Sequence, residues 1–378
     1  MSLNKIIFAA ALVLISFSFG CTAKKPAAFN ISGHLVNAAA GSAVLSQEDD
    51  INRKQNRTVA TVPIDKNGNF DMGFDLEPHI YTLSFSDKKK VTLAIGKGQN
   101  ITISGDANDL STIKVAGSDD TAKLEAYETF RKESLNRLVI TVRDEIKKLK
   151  ELGTPETDPK IIEVGKSEIE NYNKHKDELI GFIRDNMGTS VAVYATSIRW
   201  DGDKNLPFLE SLAEAFDKDH PGLAISAKLK EKVNILKNTS IGGKAAEIKM
   251  PDKDGNEVTL SSLKAKYVLI DFWASWCGPC RREKAELTEL YGKFNKLGFD
   301  IYGVALESEK ENWLKAIETD GRIWTNVSTL QEFETPSSFD YAVTSLPANF
   351  LIDANGKIIA KNLHGDELRK TVEKLFGK

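Results

Sequence analysis

Cys277 and Cys280, separated by Gly278-Pro279, are the residues in this chain best suited to chemistry. Such a pair cycles between dithiol and disulfide. One thiolate attacks a disulfide sulfur, and the second thiol resolves the mixed disulfide. Reactivity follows thiolate character, and the neighbouring sequence supplies a cause for it. Residues 267–273, Tyr-Val-Leu-Ile-Asp-Phe-Trp, form an apolar β-forming run that leads straight to the pair. Beyond it, Leu287, Leu290, Tyr291, Phe294 and Leu297 recur at helical spacing. The cysteines therefore sit where a buried strand hands over to a helix N-terminus. Unpaired N–H groups and the helix dipole favour a thiolate there. Gly278 permits a close turn, and Pro279 suits a first helical turn, where its missing N–H costs nothing. Cys277, at the exposed first position, reads as the attacker. Cys280, one turn in, reads as the resolver. Arg281 and Arg282 either add charge beside the thiolate or are solvated residues of the first turn.

Asp271 interrupts a strand that reads as buried on both faces. A buried carboxylate is costly unless paired or protonated. It is either a functional acid or a hydrogen-bonded structural residue. The chain's one other cysteine is Cys21, so no framework of structural disulfides exists. The Cys277/Cys280 pair is then redox-active, metal-binding or inert. A structural zinc site takes four ligands. His34, His79, His175, His220 and His364 show no ligand spacing. Neither a metal nor any other cofactor is expected.

The elements around the pair extend beyond one domain. A chain of 378 residues suggests two or three domains at about 100–200 residues each. Its net charge of −3 provides no field to recruit nucleic acid. Residues 1–20 read as a signal peptide: Lys5, a short apolar run to Phe17, then small residues. The apolar run is shorter than the ~20 residues of a membrane-spanning helix. Gly20-Cys21 resembles the bacterial lipoprotein signal, although Ser18 and Phe19 depart from its usual pattern. That resemblance implies a lipid on Cys21 and a tether over 21–28; ordinary secretion is the alternative. Residues 29–117 read as a β domain, with strands expected at 29–36, 41–45, 57–63, 69–74, 79–85, 91–95 and 100–104. It has the look of a small antiparallel sandwich or barrel. From 118 to 238 the periodicity is helical, broken at Gly153-Thr-Pro155 and again at 217–221. Residues 239–378 alternate strands and helices, which implies a partly parallel sheet covered on both faces. The fold class is thus multidomain: an α/β domain preceded by an all-β domain and an α-helical segment.

Asp271-Phe-Trp-Ala-Ser-Trp-Cys-Gly-Pro-Cys280 resembles the signature of the thioredoxin superfamily. The likeness runs from about residue 241 to the end. An extra helix and strand over 309–327, together with Ile241-Gly-Gly-Lys244, resembles the TlpA/ResA-like branch. The β domain is similar to the domain of unknown function that often precedes such domains in exported lipoproteins. The resemblance implies a thioredoxin-like fold and a thiol–disulfide oxidoreductase. It places Asp271 as the buried acid that accepts the resolving cysteine's proton. It makes Ser345-Leu346-Pro347 the cis-proline loop, with Leu346 offering backbone hydrogen bonds to substrate. Trp276, Gly278 and Pro279 would also face substrate, while Trp273 belongs to the core. Implied partners are disulfide-containing exported proteins and an inner-membrane electron donor, in the bacterial envelope facing the periplasm. A peroxidase would need Thr or Ser where Ala274 stands. The competing reading is a partner-binding lipoprotein whose thioredoxin-like domain is a docking platform.

Overall fold

The computed structural model describes residues 28–38, 40–86, 89–155 and 158–377. The expected signal peptide, Cys21 and most of the tether lie outside them. The first unit contains β1 (Phe29–Val36), β2 (Gly41–Asp50), β3 (Gln55–Ile64), β4 (Asn69–Phe74), β5 (His79–Ser86), β6 (Lys89–Ile95), β7 (Asn100–Asp106) and β8 (Asp109–Ala116). They form two four-stranded sheets, ordered β4-β1-β7-β8 and β3-β2-β5-β6. Strand alternation turns Phe29, Ile31 and Leu35 of one sheet toward Leu45, Tyr81 and Leu83 of the other. The result is a sandwich, although β1 and β7 pair in parallel where an antiparallel arrangement was expected. The strand β8 was not anticipated. Its sequence DLSTIKVA buries no residue fully, so no clean alternation marks it.

The helical unit starts from that sandwich. Ser118 Oγ accepts from the Thr121 N–H, capping α1 (Asp119–Leu135). The same hydroxyl donates to the Ala94 carbonyl at 2.7 Å, fixing the helix start to β6. Helix α1 runs through a π-helical turn, Asn136–Ile140, into α2 (Thr141–Glu151). The 28-residue α3 (Pro159–Asn186) packs along both. Then follow α4 (Val193–Thr196), α5 (Leu206–Asp219) and α6 (Ala224–Asn238). Their core, around Tyr127, Ile183, Tyr194, Trp200 and Phe216, also takes in Ile80 and Ala94 of the sandwich. The β and helical units thus share one apolar core. No helix among the described residues is long and apolar enough to cross a membrane.

The last unit begins with the hairpin β9 (Lys249–Pro251) and β10 (Glu257–Thr259). It continues with β11 (Tyr267–Trp273), α7 (Gly278–Arg282), α8 (Lys284–Phe294), β12 (Phe299–Ala305), α9 (Lys310–Asp320), β13 (Thr325–Val327), α10 (Pro336–Asp340), β14 (Ala348–Asp353), β15 (Ile358–Lys361) and α11 (Gly365–Leu375). The sheet order is β13-β12-β11-β14-β15, with β11 in the middle. Strands β12 and β13 are parallel to their inward neighbours, and β14 and β15 antiparallel. Side chains alternate across β11. Leu269 packs with α8 and α11, through Leu290, Phe294 and Leu368. Val268, Ile270 and Phe272 pack on the opposite face, with Met250 of the hairpin. Burial on both faces explains why this strand reads as a near-continuous apolar run.

Candidate active site

Strand β11 ends at Trp273, and a three-residue loop, Ala274-Ser275-Trp276, carries the chain to Cys277. Two contacts shape that loop. The Cys277 N–H donates to the Ala274 carbonyl at 3.2 Å. The buried Glu307 carboxylate accepts from both the N–H and the hydroxyl of Ser275. Burial pushes the Glu307 carboxyl up, and the Ser275 donors oppose the rise. Cys277 has extended backbone and forms the N-cap of α7, with Pro279 in the first turn. Its sulfur accepts from the Cys280 N–H at 3.2 Å. Cys277 and Cys280 are joined as a disulfide in this structure.

The helix after the cysteines differs from the single helix the periodicity suggests. It breaks at Glu283 into a five-residue α7 and an eleven-residue α8. A short α7 carries little cumulative dipole, so the Cys280 N–H is the nearest source of thiolate stabilisation. Arg281 and Arg282 are part-buried and ion-paired rather than free in solvent. Arg281 is held by Asp320 and by the Ser275 carbonyl. Arg282 donates to Glu168 of α3 at 2.9 Å. Cys277 is only 4% exposed, because α2 and α3 stand over this face. Arg143 and Glu168 of those helices line one cleft with Trp276, Cys277, Pro279 and Leu346. Gly165 makes the approach possible: a Cβ there would lie 2.6 Å from Arg282 Nε. Trp276 is 53% exposed, whereas Trp273 is fully buried.

Asp271 of β11 is 4% exposed and is linked to Cys280 through one side chain. It is not alone. Arg322, equally buried, donates to Asp271 Oδ2 at 3.0 Å and to the Cys280 carbonyl at 3.2 Å. The guanidinium also stacks 3.8 Å from the Trp273 ring. Burial pushes the Asp271 carboxyl up, Arg322 pulls it down, and the rise prevails. Glu283 and His364 add further charge around Asp271, and His364 Nδ1 lies 2.7 Å from Glu283 Oε1. Burial pulls the His364 ring down, but the hydrogen bond and charge of Glu283 outweigh it and raise it. None of these three partners stands out in the sequence. Arg322 and His364 are 42 and 84 residues beyond Cys280, and only the sheet brings them there.

The Leu346-Pro347 peptide is cis, and both residues help line a cavity with Pro279 and Tyr172 of α3. Among the described residues the Leu346 N–H and C=O make no internal backbone hydrogen bond. The described residues contain no cluster of His, Cys, Asp and Glu fit to hold a metal ion.

A central strand that delivers Cys-Gly-Pro-Cys to a helix start, in a sheet of this order, defines a thioredoxin-like thiol–disulfide oxidoreductase. Comparison with known proteins agrees. The AhpC/TSA family model matches residues 241–361, and a domain of unknown function, DUF4369, matches residues 29–124. The thiol-disulfide oxidoreductase ResA of Bacillus thuringiensis is 30% identical over 146 residues, covering 36% of this chain and 78% of the relative. That of Geobacillus thermodenitrificans is 32% identical over 139 residues, with the same shares covered. The crystal structure of the thioredoxin domain of a thiol-disulfide oxidoreductase from Bacteroides vulgatus is 40% identical. It spans 36% of this chain and 97% of that one, with a TM-score of 0.35. The chain belongs to the ResA-like thiol-disulfide oxidoreductases.

Proposed function

We propose that this oxidoreductase works as a reductase of disulfides in exported proteins, held to a membrane of the bacterial envelope by lipid on Cys21. The observation that carries the direction is the Gly278-Pro279 pair between the cysteines, the pairing found in thioredoxin. Thioredoxin has a potential of about −270 mV, against about −120 mV for DsbA. The Cys277 thiolate attacks one sulfur of the client disulfide and forms a mixed disulfide. The client's other sulfur leaves with the bond electrons and takes a proton. Cys280, deprotonated toward Asp271, then attacks Cys277 Sγ, and the second client sulfur departs as a thiolate. Two electrons have passed to the client, and the protein is left as the disulfide. Trp276, Gly278, Pro279 and Leu346 border the client, and Pro347 faces the cysteines. A membrane dithiol donor must restore the pair, because the periplasm holds no reducing buffer.

Two measurements test this. Equilibration of the purified protein with glutathione buffers should give a potential nearer −270 than −120 mV, on the order of the thioredoxin value. A potential near that of DsbA would refute the reductase direction. The wild type should fractionate with membranes, and Cys21→Ser should move to the soluble fraction. Unchanged partitioning would refute the tether.

A further inference from the structure

The redox face is walled by the helical unit, and the wall is charged. Beside the cleft at Cys277 lies a second cavity of about 310 Å³, bounded on one side by Trp276, Phe333 and the 344–346 loop. On the other side α1, α2, α3 and the segment after α4 contribute Arg131, Arg143, Lys176 and Arg199. Among the described residues, no carboxylate lines it. The two spaces share Arg143, Trp276 and Leu346, so they are parts of one groove that ends at Cys277.

These cations have carboxylate partners, one of which, Glu168, lines the Cys277 end of the groove, but the partners are too few to cancel them. Arg131 and Arg199 share one carboxylate, Glu128, at 2.7 and 3.2 Å. Arg143 and Arg282 share Glu168, at 2.8 and 2.9 Å. Lys176 alone has its own, Asp201, at 2.6 Å. His175 also lines the cavity; burial, reinforced by Arg131, pulls it down to about 4, leaving it neutral at ordinary pH. The groove therefore carries a surplus of positive charge in a chain whose net charge is −3. A field of this kind attracts an acidic partner and repels a basic one, and is weakened by salt.

We propose that this groove is the client-binding site and that it selects an extended, acidic polypeptide segment beside the client's disulfide. The client backbone meets the free N–H and C=O of Leu346, as an added strand does. Its Asp or Glu side chains meet Arg143 and Arg199 across the groove. The proposal rests on the thiol–disulfide exchange described above and names the substrate class for it.

The test uses the prereduced full chain and second-order rates for four disulfides. One is bis(2-hydroxyethyl) disulfide, small and uncharged. The others are matched peptides that each close one disulfide, flanked by Asp, Ser or Lys. The Asp peptide should react about tenfold faster than the Lys peptide at low salt, and the ratio should fall several-fold near 1 M salt. In Arg143→Gln and in Arg199→Gln the ratio should drop to roughly a third or less of the wild-type value. Because it is a ratio within one variant, a partial folding defect cancels. Lys293→Gln, an equal change of charge on α8 outside the groove, should keep the wild-type ratio. Reduction of the uncharged disulfide with equal Asp and Lys rates would overturn the groove assignment and leave the redox chemistry standing. Failure to reduce any of the four would overturn both.

Discussion

Cys277→Ser should abolish reduction of insulin by the purified protein, a loss of roughly 10³-fold or more. Cys280→Ser should fail differently. Its Cys277 still attacks, but nothing resolves the mixed disulfide, so the client stays attached. A non-reducing gel should show client adducts in Cys280→Ser cells that dithiothreitol dissolves, and none in Cys277→Ser. Cys277 lines the open cleft and Cys280 does not, so an outside disulfide meets Cys277 first. Undiminished insulin reduction by Cys277→Ser would remove Cys277 from the chemistry. If the Cys277→Ser/Cys280→Ser chain kept its full role in the cell, the docking-platform reading would replace the enzymatic one.

Arg322→Met should be the most damaging single change outside the cysteines. The guanidinium is buried between Asp271, the Cys280 carbonyl and the Trp273 ring. Its loss leaves a buried carboxylate unpaired, at a cost of about 3–5 kcal/mol. The cost depends on pH with a definite sign. Burial raises Asp271 above its ordinary 3.8, so the folded state resists its ionisation as pH climbs past that value. Arg322 offsets that resistance. Without it the penalty should be large at pH 7 and shrink toward pH 4, where a proton neutralises Asp271. Urea unfolding at both pH values measures this. A loss below about 1 kcal/mol, or one independent of pH, would contradict it. Adding Asp271→Leu should recover most of the stability, since an apolar pair replaces an ionic one. The release of client from the mixed disulfide supplies the functional readout. Its pH–rate profile should move to higher pH in Arg322→Met, because Asp271 then holds its proton more tightly. A purely structural arginine would leave that profile in place.

Local chemistry was readable in the sequence, and long-range pairing was not. Tyr267–Trp273 reads as a doubly buried strand because burial on both faces leaves almost no polar position. Asp271 stands out against that run for the same reason. Seven of the sandwich strands are visible through alternation and their turns; β8 is not, because its half-exposed residues follow no period. The break at Glu283 escapes periodicity, since α7 and α8 keep their apolar residues on similar spacing across it. Arg322 carries no local signal. It follows α9 and enters the site only because β13 pairs with β12. The charged wall is hidden for a related reason. Arg131, Arg143 and Arg199 look like the solvated faces of ordinary helices until the helical unit is set against the redox face.

Gly165, Glu168 and Arg282 form a small contract between two parts of the chain. Gly165 leaves the space that Arg282 enters, and Glu168 meets the charge that arrives. A larger residue at 165 would push the Arg282 guanidinium away from Glu168, and loss of either charge would strand the other. The helical and thioredoxin-like parts should therefore be inherited together. Among relatives that carry both, positions 165, 168 and 282 should vary in concert. Grafting the redox domain beneath another wall would succeed only where that wall offers a small residue and an acid one helical turn apart.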